Sequence, residues 1–328
     1  MSTEATGPRL HAIYAPIAAD LDRLDEFLGR EFHSIEPFIC QLLTHIARFR
    51  GKQIRPALLL LVARLTGGEV TDDQLKIAAV IELIHTATLV HDDILDDAAL
   101  RRNVETIHRR WGERAGVLLG DYIYSRAFSL STEVEGMAAV LSATTHTICE
   151  GELLQIGNRF RPEIGEEVYF EIIRKKTAIL YAVACYLGGV LSGADEEDAA
   201  RLRSFGMDLG MAFQIIDDCL DYSGDESVVG KSLGTDLHQG KMTLPLILLR
   251  ESLDREGAKA LLESFHGPMT SSLESRIATQ VRERGALREA NRRAQSFIES
   301  SRSAIAGLDP RLRESLEMVA DYVLRRQR

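Results

Sequence analysis

Prolines are scarce in this chain, and their placement leaves little room for anything but helix. Eight occur in 328 residues, and none lies between Pro56 and Pro162 or between Pro162 and Pro245. The intervening stretches are rich in Ala, Leu, Glu and Arg and carry no Asn-Gly or Asp-Gly hairpin signal, so they read as helices and the chain as all-α. Near the start, Leu10, Ile13, Ile17, Leu21, Leu24 and Leu28 keep the three-or-four spacing of one helical face, with Pro16 in a first turn or at a kink. Thr71 followed by Gln74 forms a capping-box pattern ahead of Leu75 to Val90, a run apolar nearly all round and therefore suited to the middle of a bundle. Asp195 can cap a second such helix, whose stripe is Leu202, Phe205, Leu209, Phe213, Ile216 and Leu220. Length alone would allow two domains. No repeat, low-complexity tract or linker divides the chain, however, so residues 1–328 are expected to form one helical-bundle domain, with Gly224 to Gly240 as a long ordered loop.

Apolar residues make up 45% and charged residues 27%, enough for a large core and too ordered a composition for disorder. With 49 acidic against 39 basic residues the net charge is −10, which disfavours a nucleic-acid binder working by general phosphate attraction. Cys40, Cys149, Cys185 and Cys219 have no metal-type spacing and read as reduced thiols, which suits the cytoplasm. The N-terminal residues lack a signal-peptide core, and no apolar run is long enough for a membrane span.

The chemistry is concentrated at two acidic clusters. One packed helix leads into His91-Asp92-Asp93-Ile94-Leu95-Asp96-Asp97 and the other into Asp217-Asp218-Cys219-Leu220-Asp221, both containing D-D-x-x-D. Asp92 and Asp96, like Asp217 and Asp221, are four residues apart, so each pair projects from one face about one turn (~5.4 Å) apart. Carboxylates this close repel one another without a cation, and hard oxygen donors with room for water favour Mg²⁺ over zinc or copper. A solvated acidic helix end is the alternative for either cluster alone; the repeated spacing on two apolar helices argues against it.

Basic residues accompany both clusters. Arg101 and Arg102 follow the first, and Lys231 and Lys241 follow the second within GKSLGTDLHQGKMTLP, where glycines let backbone approach an anion. That segment is not a nucleotide-binding P-loop: its glycine spacing is one residue too long and Met242 replaces the required hydroxyl. Upstream, Gly51-Lys52-Gln53-Ile54-Arg55-Pro56 sets two cations three apart at a helix start, either a second anion site or two surface charges. His85 is either part of that site or an ordinary buried histidine.

These residues resemble the trans-type polyprenyl diphosphate synthases. The likeness runs in order through GKQIRP, ELIHTATLVHDDILDDAALRR, LLGDYIYSRAF, GELLQ, RKKTAIL, FQIIDDCLD and GKSLGTDLHQGKMTLP. The chain departs from the usual pattern at Arg50 and Asn103, where the family has glycines, and neither change removes a ligand. The resemblance implies an all-α isoprenoid-synthase fold with a central hydrophobic cavity, and a homodimer. It implies elongation of an allylic diphosphate by isopentenyl diphosphate, with Asp92 and Asp96 holding two Mg²⁺ ions and Asp217 a third. Asp93 and Asp221 are further metal candidates. Arg101, Lys176, Lys231 and Lys241 would contact the allylic diphosphate, Lys52, Arg55, His85 and Arg102 the isopentenyl diphosphate, and Thr177 and Gln214 would lie beside the developing cation. A terpene cyclase would carry a different second metal motif and need no isopentenyl site. A non-catalytic partner subunit would be expected to lose one aspartate motif.

Product length is implied by Ala87 and Thr88, one turn before the first aspartates. Short-chain farnesyl- or geranylgeranyl-type members tend to have aromatic rings there, whereas small residues resemble long-chain members, giving about six to ten isoprene units by family analogy. The alternative is that the two residues are simply small packing positions, with Met137 or Leu141 deeper down as the floor. Ala87→Phe is expected to shorten the product distribution, read by chromatography of the labelled products; unchanged length would remove these positions from the argument.

Overall fold

The computed structural model describes residues 8–49, 51–222, 235–265 and 270–325. In chain order the helices are α1 (Pro8–Tyr14), α2 (Ala18–Glu31), α3 (Pro37–Ile46), α4 (Ile54–Gly67) and α5 (Asp72–Leu95). After a two-residue pair of strands, β1 (Leu100–Arg101) and β2 (Val104–Glu105), come α6 (Ile107–Trp111), α7 (Glu113–Ser131), α8 (Met137–Gly157) and α9 (Glu166–Ile173). Then follow α10 (Ile179–Val190), α11 (Glu196–Leu220), α12 (Thr235–His238), α13 (Leu244–Ser252), α14 (Arg255–Ser264), α15 (Ser271–Glu283), α16 (Ala286–Ala304) and α17 (Pro310–Arg325). The all-α expectation therefore holds. Among the described residues no helix is long and apolar enough to cross a membrane, and all four cysteines are free thiols. Contacts divide the chain into two compact units.

The first unit comprises residues 1–145, 183–203 and 305–319. Pro16 breaks the N-terminal periodicity into α1 and α2 by way of a 3₁₀ turn, Ala15–Ile17, because its ring removes a backbone donor. The apolar face nevertheless carries through: Leu10, Ile13, Ile17, Leu24 and Leu28 are all buried. In α4 every residue from Ala57 to Ala63 is buried, so this helix has no solvent face. A Cβ added at Gly188 of α10 would lie only 2.7 Å from the Leu59 carbonyl oxygen, so glycine is what lets α10 approach the α4 backbone.

The long helix α5 packs on α2, α4 and α7. Its start is fixed by the predicted capping box, Thr71 Oγ1 accepting from Gln74 N at 3.2 Å and Gln74 Oε1 accepting from Thr71 N at 2.9 Å. The same glutamine, 2% exposed, donates through Nε2 to the Leu191 carbonyl and to Ser192 Oγ, both at 3.0 Å. Its far end is pinned against α7, where a Cβ at Gly120 would strike the His91 ring and one at Gly116 would come within 2.7 Å of Ile94.

The second unit comprises residues 146–182, 204–304 and 320–328. Within it, a Cβ at Gly206 of α11 would lie 2.8 Å from the Ala182 Cα, and one at Gly210 would lie 2.6 Å from the Ala178 Cα. These small residues bring the two backbones close and bury Phe205, Leu209, Ala212, Ile215 and Ile216. The start of α11 belongs to the first unit, where Asp195 caps it as expected, its Oδ1 accepting from Asp198 N at 2.8 Å. Most of the Gly224 to Gly240 segment lies outside the described residues; its end is not loop but the single-turn helix α12.

The hairpin departs from expectation. Leu100 pairs with Glu105 and Arg101 with Val104 across a two-residue loop, Arg102-Asn103, whose φ angles are 51° and 61°. Two successive positive φ values are what a type I′ turn requires, and asparagine tolerates the second.

The Gln74 contacts yield a test. Gln74→Ala removes half of the capping box and both bonds to the α10–α11 connection. It should destabilise the protein by about 2–3 kcal/mol in urea denaturation, against about 1 kcal/mol for Thr71→Ala, which loses only the cap.

Candidate active site

In the first unit α5 terminates in carboxylates. Leu95 is its last residue and Asp96 is the cap, its N–H bonded to the Asp92 carbonyl at 2.8 Å. The last turn holds no basic residue. Negative charge thus accumulates at the end where the helix dipole is already negative, an arrangement that a bound cation would relieve. The three aspartates differ in surroundings. Asp92 and Asp96 are half-buried, whereas Asp93 is 2% exposed and engaged by Arg101, whose Nε donates to Oδ1 at 2.8 Å. Burial pushes the Asp93 carboxyl up and Arg101 opposes the shift. Its Oδ2 is buried without a hydrogen bond.

The same unit assembles the basic residues expected for a second anion. Arg55 Nη1 and His85 Nε2 are 3.1 Å apart, and His85, Arg102, Gln53, Glu82 and Phe49 line one small pocket. Burial first, then the guanidinium groups of Arg55, Arg101 and Arg102, hold the His85 imidazole well below its ordinary range. A neutral imidazole here accepts a hydrogen bond from Arg55 Nη1 through Nε2. Arg102 donates to the Phe49 carbonyl, and Lys52 sits on the adjoining loop. Ala87 is fully buried in α5, and the Thr88 hydroxyl donates to the His85 carbonyl at 2.7 Å, so neither is a free surface position.

In the second unit the other carboxylate helix, α11, also has no basic residue in its last turn. Here the buried member is Asp218. Tyr169 donates to its Oδ2 at 2.6 Å and Gln214 Nε2 to its Oδ1 at 2.7 Å. Because the amide donates to Asp218, its oxygen faces the other way and accepts from the Thr177 hydroxyl at 2.9 Å. Burial and the nearby Asp236 carboxylate push the Asp218 carboxyl well above its usual range. Asp217 is half-buried; Asp221 is buried and accepts the Asp236 backbone N–H at 3.2 Å. Lys241 lies 3.8 Å from Asp236. Lys231, like Arg50, lies outside the described residues.

Lys176 and Thr177 occupy a π turn, Arg174–Ala178, between α9 and α10. Such turns are frequent at functional sites because one extra residue per turn re-aims the side chains. The turn lies against Gly151 of α8, where a Cβ would collide with the Lys176 backbone nitrogen. Lys176 pairs with the Glu152 carboxylate and donates to Gln155 Oε1 at 2.9 Å.

Within the first unit the structure joins Arg55 with His85 and Arg101 with Asp93, and within the second it joins Thr177, Gln214 and Asp218. Reasoning on the sequence missed Tyr169, Asp236, Glu152 and Gln155 as partners. The last two were visible within GELLQ, while Tyr169 stands in no motif. Among the described residues no three acidic, histidine or cysteine side chains converge into a closed metal cage. The donors at Asp92, Asp96 and Asp217 are hard oxygens at helix ends whose last turns carry no basic residue, and this fits Mg²⁺, an ion that keeps several positions for water and phosphate.

The polyprenyl synthetase family model matches residues 36–280. The all-trans-nonaprenyl-diphosphate synthase (geranyl-diphosphate specific) of Rhodobacter capsulatus is 37% identical over 295 residues, covering 89% of this chain and 90% of that protein. The octaprenyl diphosphate synthase of Escherichia coli strain K12 is 36% identical over 314 residues, covering 95% and 97%. A polyprenyl synthase from Caulobacter crescentus CB15, solved in complex with calcium and isoprenyl diphosphate, superimposes with a TM-score of 0.91 at 33% identity, covering 100% of this chain and 99% of that one. On these matches, the chain belongs to the polyprenyl synthetase family and is a prenyl-transferring enzyme.

Proposed function

We propose that this enzyme extends an allylic diphosphate by head-to-tail condensation with isopentenyl diphosphate, depends on Mg²⁺, and makes a long-chain product of about six to ten isoprene units. Two observations carry the reading: each unit holds a helix that ends in aspartates with no basic residue in its last turn, and the first unit sets Arg55 3.1 Å from His85, which lines a small pocket with Arg102. Family membership and the octaprenyl and nonaprenyl relatives support the chemistry and the long product. In this reading residues 1–328 act as one polyprenyl synthetase domain in the cytoplasm, and two copies pair.

Asp92, Asp96 and Asp217 are the residues that would hold the ions. When bound, Mg²⁺ neutralises charge on the departing diphosphate, which grows in the transition state. Arg101, Lys176, Lys231 and Lys241 bind the same diphosphate. Fixed cations at these positions stabilise the leaving group more than the intact substrate, and that difference is what accelerates ionisation. Lys52, Arg55, His85 and Arg102 hold isopentenyl diphosphate so that its double bond faces the cation, replacing an encounter in solution by a fixed approach. The amide oxygen of Gln214 and the hydroxyl oxygen of Thr177, oriented by Asp218 and Tyr169, present negative dipole ends to the cation. Small residues at Ala87 and Thr88 leave the growing chain room to pass.

The test is direct. With Mg²⁺, labelled isopentenyl diphosphate and farnesyl diphosphate, the protein should incorporate label into a product of six to ten units. Asp92→Asn and Asp217→Asn should each lower kcat by about two to three orders of magnitude while thermal stability is kept. Label left unincorporated with farnesyl, geranyl or geranylgeranyl primers would overturn the reading.

A further inference from the structure

The loop that carries Lys52 and leads into Arg55 is held in a costly conformation by residues far upstream in sequence. Gln53 has φ 47° and ψ 39°, the left-handed region, although it is neither glycine nor asparagine. It stands at the N-cap of α4 without capping the helix through its side chain. Its Nε2 instead reaches α2 and donates to Asp25 Oδ1 at 3.0 Å. One residue earlier, the Tyr14 hydroxyl at the end of α1 donates to the Lys52 carbonyl at 2.7 Å. A strained backbone of this kind persists only where its surroundings over-determine it.

The other side of the loop is held by Arg102, which donates to the Phe49 carbonyl and covers Gly51 so closely that a Cβ there would meet its guanidinium. Arg102 is itself a proposed diphosphate ligand. When it turns to a bound anion, its hold on the loop is shared, whereas the proposed reaction assigns no ligand to Tyr14 or Asp25. Both also lie upstream of residue 36, where the family match begins.

We infer that Tyr14 and Asp25 are positioning residues for the isopentenyl diphosphate site: through the Lys52 carbonyl and the Gln53 amide they fix the left-handed turn that sets Lys52 and Arg55 at one anion. The inference rests on the isopentenyl diphosphate assignment proposed above. It predicts a defect confined to one substrate, because the residues they place belong to that half-site alone.

The experiment measures isopentenyl diphosphate binding by calorimetry in metal-free buffer with EDTA, and KM for each substrate in the full reaction. Tyr14→Phe and Asp25→Ala should each weaken isopentenyl diphosphate binding about three- to tenfold, the worth of one partly buried hydrogen bond, and raise its KM in step. KM for farnesyl diphosphate should stay unchanged. Gln53→Gly removes both the strain and the side chain that Asp25 holds, so in that background Asp25→Ala should change the affinity by less than about 1.5-fold. Equal effects on both substrates, or a fall in melting temperature with both affinities intact, would show a merely structural role and overturn the inference. An unchanged Asp25→Ala penalty in the Gln53→Gly background would do the same. Wild-type protein that binds no isopentenyl diphosphate would instead remove the underlying assignment and the inference with it.

Discussion

Negative charge gathered at the ends of two buried helices is the constraint from which the rest follows. A helix C-terminus carries a partial negative charge, and evolution commonly places lysine or arginine there to offset it. Both α5 and α11 do the opposite, adding aspartates and leaving the last turn without a basic residue. Neither helix can shift to relieve this repulsion. One is anchored by the Gln74 contacts and by glycines that bring α7 against it, the other by the close approach of Gly206 and Gly210 to the 178–182 backbone. The packing that makes these helices rigid also makes their ends demand a cation.

The middle aspartate of each motif shows how the demand is divided. Asp93 and Asp218 are buried and engaged by the protein itself, the first at one oxygen by Arg101 and the second at both by Tyr169 and Gln214. They therefore orient neighbouring groups, while the half-buried Asp92, Asp96 and Asp217 are better suited to an ion that also binds water and phosphate. The same economy appears at the basic pocket. A protonated His85 beside Arg55, Arg101 and Arg102 would add repulsion to an already positive cluster, and desolvation together with those neighbours keeps it neutral. Arg55 gains an acceptor without any loss of positive potential toward an anion.

Most of the fold was legible because it depends on local rules. Proline spacing announced the helices, Thr71 and Gln74 announced a start, and Asp195 announced another; each follows from backbone donors that need partners within a few residues. The aspartate motifs were legible because four-residue spacing has a geometric meaning on a helix. What escaped was set by tertiary contact. Tyr169 reaches Asp218 across 49 positions and Gln74 reaches Ser192 across 118, separations for which periodicity offers no signal. The hairpin at Arg101 was hidden for another reason. Its left-handed pair is Arg-Asn, which lacks the glycine that usually marks such a turn.

That turn belongs to a pattern. Among the described non-glycine residues with positive φ are Gln53, Asp97, Arg102 and Asn103. Gln53 lies between Lys52 and Arg55, Asp97 directly follows Asp96, and Arg102 is itself a proposed diphosphate ligand. Left-handed backbone costs such residues roughly 1–2 kcal/mol each, so its concentration beside the charged motifs needs a cause. Helical geometry supplies one. A regular helix can place two like charges a turn apart, but the proposed anion site draws lysine, arginine and histidine from a loop, a helix start and a helix interior, which a regular helix cannot do. Sharp reversals can, and tertiary contacts such as Tyr14 with Lys52 and Arg102 with Phe49 hold them in place.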